Sequence, residues 1–436
     1  MDTPVFDFVR DYASSGRARL HMPGHKGRGA LGCEALDITE VRGADSLYEA
    51  AGIIERSERN AAELFGSRST FYSTEGSSQC IKAMLCLASR RSESRTVIAA
   101  RNAHKSFVHA LALLDLDVRW LWPEEYSLLG CPVSAAAVAS AIDSMDGPPC
   151  AVYLTSPDYL GSMQPVAEIA AVCHERGVPL LVDNAHGAYL HFLEKPMHPL
   201  DLGADMCCDS AHKTLPVLTG GAYLHISRGF DPGSDGDVRR MMSVFGSTSP
   251  SYLIMQSLDL CNAYLAGEGR ELIAGSAAKA GALKERLAGM GWRVTGGEPL
   301  KVTVNCGNAL EVSERLRAHG AECEYADPDF VVLMLSPQNS GEDISRVLAA
   351  FSELAPGEPG HPPAMRPPER AMGIREALFA QSEELPVRLA AGRVCSAPSV
   401  GCPPAVPVAV CGEVIGADAA AVFEYYGNES VCVVRR

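Results

Sequence analysis

Positive charge is scarce in this chain of 436 residues: 38 lysines and arginines stand against 53 aspartates and glutamates, for a net charge of −15. Nucleic acids and anionic membrane surfaces bind through concentrated positive charge, so the balance argues against both and leaves small metabolites as ligands. No apolar run approaches the roughly 20 residues of a membrane span. The opening Met1-Asp2-Thr3-Pro4-Val5 lacks the basic-then-apolar pattern of an export leader, and a cytoplasmic protein is expected. Paired C-x-x-C motifs are missing, although there are 15 cysteines. Their odd number and scatter through apolar stretches such as Cys80-Ile81 and Cys86-Leu87 point to buried thiols in a reducing compartment, with no structural metal. No G-x-S-x-G occurs, which removes the usual support for a serine hydrolase.

At 47% hydrophobic residues the chain can bury a large core and a smaller one. Apolar runs of strand length at Thr70-Phe71-Tyr72, Thr96 to Ala100, Val118 to Leu121, Ala151 to Thr155, Pro179 to Asp183 and Ala204 to Cys208 alternate with helical patterns. Such alternation implies right-handed βαβ crossovers and a mostly parallel sheet flanked by helices. After about residue 275 the pattern changes to a smaller α+β domain, with strands near Val302 to Asn305 and Phe330 to Leu335. The expected division is an N-terminal arm (1–45), a large domain (46–270) and a C-terminal domain (271–436) with a Pro/Gly-rich linker near 355–368. Residues 231–237, rich in Asp and Gly, read as a surface loop.

The octapeptide Asp209-Ser210-Ala211-His212-Lys213-Thr214-Leu215-Pro216 sets one lysine among hydroxyls and a histidine. It fits a Schiff-base lysine beside an anion site, and equally a solvated lysine in a polar loop. Upstream, the run Pro179 to Val182 ends in Asp183, and ligands of open α/β sheets bind just beyond the carboxyl ends of strands. Thirty residues separate Asp183 from Lys213, enough for a return connection and one more strand, so the two can converge. Pyridoxal phosphate asks for that pair, a lysine on its aldehyde and a carboxylate on its pyridine nitrogen. Gly76, Ser77 and Ser78 open a helix, where free N–H groups suit a phosphate and where serines also serve as plain caps. In His21-Met22-Pro23-Gly24-His25-Lys26-Gly27 the Pro-Gly breaks any helix that could align the histidines on a metal. Asp158, in Ser156-Pro157-Asp158, fits a substrate contact or ordinary turn chemistry.

Five segments, Leu20 to Gly27, Asn102-Ala103-His104-Lys105-Ser106, Val182 to Gly187, Ser210 to Leu215 and Ser247-Thr248-Ser249-Pro250-Ser251-Tyr252, together resemble the ornithine/lysine/arginine decarboxylase family. The resemblance implies the aspartate-aminotransferase-like fold type I of PLP-dependent transferases, with a mostly parallel seven-stranded sheet. It implies pyridoxal 5'-phosphate on Lys213, Asp183 on the ring nitrogen, His104 stacked on one ring face and Ala185 against the other, with His186 alongside. Gly76, Ser77, Ser78, Ser210 and His212 would hold the phosphate, His25 and Lys26 would lie near the pocket, and Thr248 would reach the phosphate of a neighbouring subunit in a homodimer. The implied reaction is decarboxylation of lysine, arginine or ornithine, with His212 or Lys213 returning a proton to Cα. Aminotransferases and lyases share the fold and the first steps, and Arg366, Arg370, Arg388 and Arg393 leave an aminotransferase's carboxylate clamp open. The sequence departs from the family pattern at Asn184, where Glu is common. It departs again in Cys402-Pro403-Pro404-Ala405-Val406 and Cys411-Gly412-Glu413, which stand for a Pro-Pro-Gly-Ile-Pro and Pro-Gly-Glu signature.

Overall fold

A computed structural model describes residues 1–123, 127–398 and 406–435. Cys402 to Ala405 of the late Pro-rich motif lie outside the described residues. The main sheet has seven strands: β1 (Ser69–Ser73), β2 (Thr96–Ala100), β3 (Asp117–Leu121), β4 (Ala151–Thr155), β5 (Leu180–Asp183), β6 (Met206–Asp209) and β7 (Ala222–Ile226), in the order β1-β7-β6-β5-β4-β2-β3. Pairs β2–β3, β2–β4 and β5–β6 are parallel, and β7 runs antiparallel to both its neighbours. The mostly parallel α/β sheet expected from the alternation is therefore present. Its one reversed strand follows from the tight return at Gly220-Gly221 after Lys213, too short for a crossover helix.

The chain divides into two compact units, residues 1–94 with 166–274 and residues 95–165 with 275–436. In the first, β1, β7, β6 and β5 are covered by the helix Ser77–Ser89, which is apolar nearly all round because Ile81, Met84, Leu85 and Leu87 are all buried. The helix Asp235–Ser243 corrects the loop expected at 231–237. Asp and Gly suggest a turn, but Ser234 and Asp237 form a capping box that starts a helix there, with Val238 and Met242 facing inward.

The second unit holds β4, β2 and β3 and a four-stranded antiparallel sheet. Its strands are β8 (Arg293–Thr295), β9 (Lys301–Asn305), β10 (Tyr325–Ala326) and β11 (Phe330–Met334). Helices Arg270–Gly289, Ala309–Ala318 and Gly341–Ser352 supply Leu283, Leu287, Leu316 and Phe351 to a core with Trp292, Val302 and Val331. A third sheet pairs β12 (Ser382–Pro386) with β13 (Ser430–Val434). No disulfide forms among the described cysteines, eleven of which are buried.

Candidate active site

In the first unit, β5 ends at Asp183, which is 2% exposed, and the β5–β6 register sets it beside Cys208. Five residues beyond Cys208, Lys213 emerges from the single-turn helix Ala211–Thr214. The adjacency of β5 and β6 thus brings the carboxylate and the lysine stem to one edge of the sheet. Asp183 Oδ1 accepts the Ala185 N–H at 3.1 Å. Lys213 is exposed, and its Nζ lies 3.1 Å from His186 Nε2.

The helix Ser77–Ser89 begins at the same edge. Gly76, its N-cap, has φ of 68° and ψ of −177°, a conformation open to glycine at no steric cost, and it brings no side chain to the cap. The start of the helix carries its positive dipole end, and no side chain caps it. Ser210 Oγ donates to Ser77 Oγ at 2.9 Å, joining the helix start to the lysine-bearing turn. Gln79 braces that start by donating to Tyr48 Oη and the Met242 carbonyl, both at 2.8 Å, while Ser73 Oγ donates to its Oε1 at 2.6 Å. His212 Nδ1 donates to the Gly221 carbonyl at 3.0 Å. Burial, and then the Lys213 charge, push the His212 pKa down, so the ring is neutral at pH 7.

Behind these residues lies an arrangement that sequence reasoning missed. Asp209 is fully buried and accepts three N–H bonds: Asn184 Nδ2 at 2.7 Å, His198 Nε2 at 3.0 Å and His225 Nε2 at 3.2 Å. Burial alone would raise its pKa, but the His198 and His225 donors hold the carboxyl well below the usual carboxylate range. His198 Nδ1 accepts the Leu200 N–H, which fixes the tautomer that donates from Nε2. Burial pushes the His225 pKa down, and its Nδ1 lies 2.8 Å from the Thr70 hydroxyl. Phe65 packs on both rings, 5.6 Å from His198 and 4.4 Å from His225. His198, Cys207 and Asp209 are close enough to suggest a metal site, but both nitrogens of His198 are already in hydrogen bonds. Burial also raises the Cys207 thiol pKa far above its ordinary value.

Other sequence candidates fall elsewhere. Thr248 is exposed just before the helix Tyr252–Tyr264. His25 Nε2 pairs with Asp37 at 3.1 Å, and Lys26 Nζ donates to the His21 carbonyl at 2.6 Å, within the N-terminal arm. In the second unit, His104 is the exposed N-cap of the helix Lys105–Leu114 and accepts the Ser106 N–H. Asp158 Oδ1 accepts the Ser162 N–H at 2.8 Å, closing its own turn, and Lys301 Nζ binds the carbonyls of Asp158 and Tyr159. Glu413 of the late motif forms a two-bond pair with the buried Arg101, both contacts at 2.7 Å.

Residues 3–322 match the Orn/Lys/Arg decarboxylase major domain. The chain belongs to the Orn/Lys/Arg decarboxylase family. Within it, the chain is 29% identical over 452 residues to the arginine decarboxylase of Halalkalibacterium halodurans, covering 95% of this chain and 91% of that one. It is 27% identical to the arginine decarboxylase of Bacillus subtilis, with the same coverages. Among solved structures, the fold superposes on the constitutive lysine decarboxylase of E. coli with a TM-score of 0.79 at 19% identity, over 100% of this chain and 82% of the other. Lysine decarboxylase A from Pseudomonas aeruginosa gives 0.81 at 18%, over 99% and 80%. This is an enzyme of a basic amino-acid decarboxylase family with the fold of the type I pyridoxal-phosphate enzymes, and the family implies that cofactor.

Proposed function

We propose that the protein decarboxylates a basic L-amino acid with pyridoxal phosphate carried on Lys213, and that arginine is the substrate to try first. The observation that carries this reading is the meeting of Asp183, Lys213 and the uncapped helix start at Ser77 on one sheet edge. The donor set fits the cofactor: an amine for its aldehyde, a buried carboxylate for its pyridine nitrogen, and hydroxyls with helix N–H groups for its phosphate. Bound there, the cofactor supplies an electron sink for the pair left on Cα when carbon dioxide departs.

In this reading Asp183 keeps a proton on the pyridine nitrogen, and Ser77, Ser78, Ser210 and His212 bind the phosphate beside Gly76. Ala185 lies against one ring face, and His186 orients the Lys213 amine. Lys213 Nζ, or His212 once protonated, returns the proton to Cα. Thr248 contributes to the phosphate site of a second copy in a homodimer, for which its exposure leaves it available. Arginine is favoured over lysine because the relatives named for arginine align over nearly the whole chain, whereas those named for lysine align over 62% and 55% of it. The free and mostly buried thiols of the described cysteines fit a cytoplasmic enzyme. Two of the four candidates for an aminotransferase's carboxylate-clamping arginine are engaged elsewhere, Arg370 with Asp117 and Arg393 with Glu383.

The test is to supply the cofactor-loaded protein with arginine, lysine and ornithine in turn and measure carbon dioxide and the matching amine. Borohydride trapping and peptide mapping of the same preparation locate the cofactor. Release of carbon dioxide from arginine, with the trapped cofactor on Lys213 and none in Lys213→Ala, is the expected result. Keto-acid formation without carbon dioxide, or cofactor trapped on another lysine, would overturn the proposal.

A further inference from the structure

We infer that Asn184 and Asp209 form a positioning pair that fixes Asp183 relative to Lys213, and that the pair works only as one amide and one carboxylate. The inference rests on the proposed roles of Asp183 and Lys213. Asn184 directly follows Asp183 at the end of β5, and Asp209 closes β6 four residues before Lys213. The Asn184 Nδ2 to Asp209 Oδ1 bond of 2.7 Å ties the two strand ends together with both side chains fully buried. The backbone repeats the tie, since the Asn184 N–H donates to the Cys208 carbonyl at 3.0 Å.

The other half of Asn184 is also fixed in place. A Cβ on Gly187 would fall 2.1 Å from Asn184 Oδ1, so the following turn folds directly over the amide and residue 187 is glycine because nothing larger fits. That oxygen is buried without a hydrogen-bond partner, a cost accepted on one side of an amide whose other side makes a short bond to an anion. His198 and His225 saturate the remaining faces of Asp209, each donating from Nε2. Around the carboxylate, Cys80, Cys207 and Tyr223 are kept protonated by burial, and Asp183 is the neighbouring acid on β5. A second carboxylate at position 184 would meet Asp209 at hydrogen-bond distance and could stay only by taking up a proton. None of these side chains is open to solvent, so the pair acts through Asp183 and the Lys213 turn.

The experiment compares wild type, Asn184→Asp, Asn184→Ala and the exchange variant Asn184→Asp with Asp209→Asn, both unloaded and loaded with pyridoxal phosphate, at pH 5.5 and pH 8. Asn184→Asp should bind the cofactor about tenfold more weakly than wild type at pH 8 and within about threefold of it at pH 5.5, where the shared proton is present. Its unloaded melting temperature should fall as pH rises, because a carboxyl with a raised folded-state pKa costs stability once it ionises. The exchange variant, again one amide and one carboxylate, should recover cofactor affinity at pH 8 to within about threefold of wild type. Asn184→Ala should lower kcat about tenfold while changing KM less than twofold, the pattern of a group that aligns the reacting parts without touching substrate. An Asn184→Asp protein with wild-type affinity at pH 8, an exchange variant no better than Asn184→Asp, or an unchanged kcat in Asn184→Ala would each overturn the pair. If Asn184→Asp does not fold, the exchange variant decides, supporting the pair by folding and overturning it by failing too. Wild type that does not retain pyridoxal phosphate would sink the cofactor reading, while the unloaded melting curves would still judge the pair.

Discussion

Asp209 in the first unit and Glu413 in the second are both buried carboxylates tied to residues at or just past the end of a sheet strand, yet they are satisfied by opposite means. Glu413 faces a guanidinium: Arg101 is fully buried, joins it through two 2.7 Å contacts and has its guanidinium carbon 4.9 and 4.6 Å from the centres of the Trp120 and Trp122 rings. Asp209 faces an amide and two imidazoles that donate without carrying a permanent charge. A permanent ion pair is insensitive to pH near neutrality and costly to halve, because the surviving partner is stranded in a low dielectric. A ring of neutral donors is softer and tolerates an amide in place of the anion.

The largest effect should come from halving the ion pair. Arg101→Met or Glu413→Gln should each cost about 3–5 kcal/mol in denaturant unfolding, with the double variant Arg101→Met and Glu413→Leu recovering much of the loss. Single variants costing less than about 1 kcal/mol would mean that the pair is no more than a surface-like contact. Next, Asp209→Asn should cost about 1–3 kcal/mol, since the amide oxygen can still accept from the imidazoles. A cost above that of Arg101→Met would erase the distinction between the two regions.

The smallest effect is a difference in pH response. The folded-state pKa values of His225 and His212 are lowered by burial, so the unfolded chain binds their protons more readily. The stability they allow is complete above the ordinary histidine pKa of 6.5 and declines as pH falls below it. Hydrogen exchange at pH 7.5 and 5.5 should show faster opening around β6 and β7 at the lower pH and little change around Arg101. His225→Gln should flatten the response of β7, and equal acceleration in both regions would contradict the assignment.

Much of the fold was legible because its signals are local. The apolar runs at Thr96–Ala100 and Ala151–Thr155 are strands with the expected ends, and the helix expected from Ala309 to Ala318 spans those residues. The helix Asp235–Ser243 was not legible from composition, since a capping box decided what Asp and Gly alone suggested otherwise. Lys213 and Asp183 could be singled out because each closes or follows an apolar strand. The donors to Asp209 could not: His198 and His225 lie 11 and 16 residues from it, each a lone histidine in sequence, and only the packing of β6 against β5 and β7 collects them with Asn184.

The clasp between Arg101 and Glu413 closes over 312 residues of chain. At synthesis rates of roughly 5–20 residues per second, Arg101 waits on the order of 15–60 s for its counterion to be made. The first unit, whose last residue is Ala274, is complete well before then. Order of emergence therefore separates the two halves in time: the lysine-bearing edge can form while Arg101, just past the end of β2, still lacks its counterion.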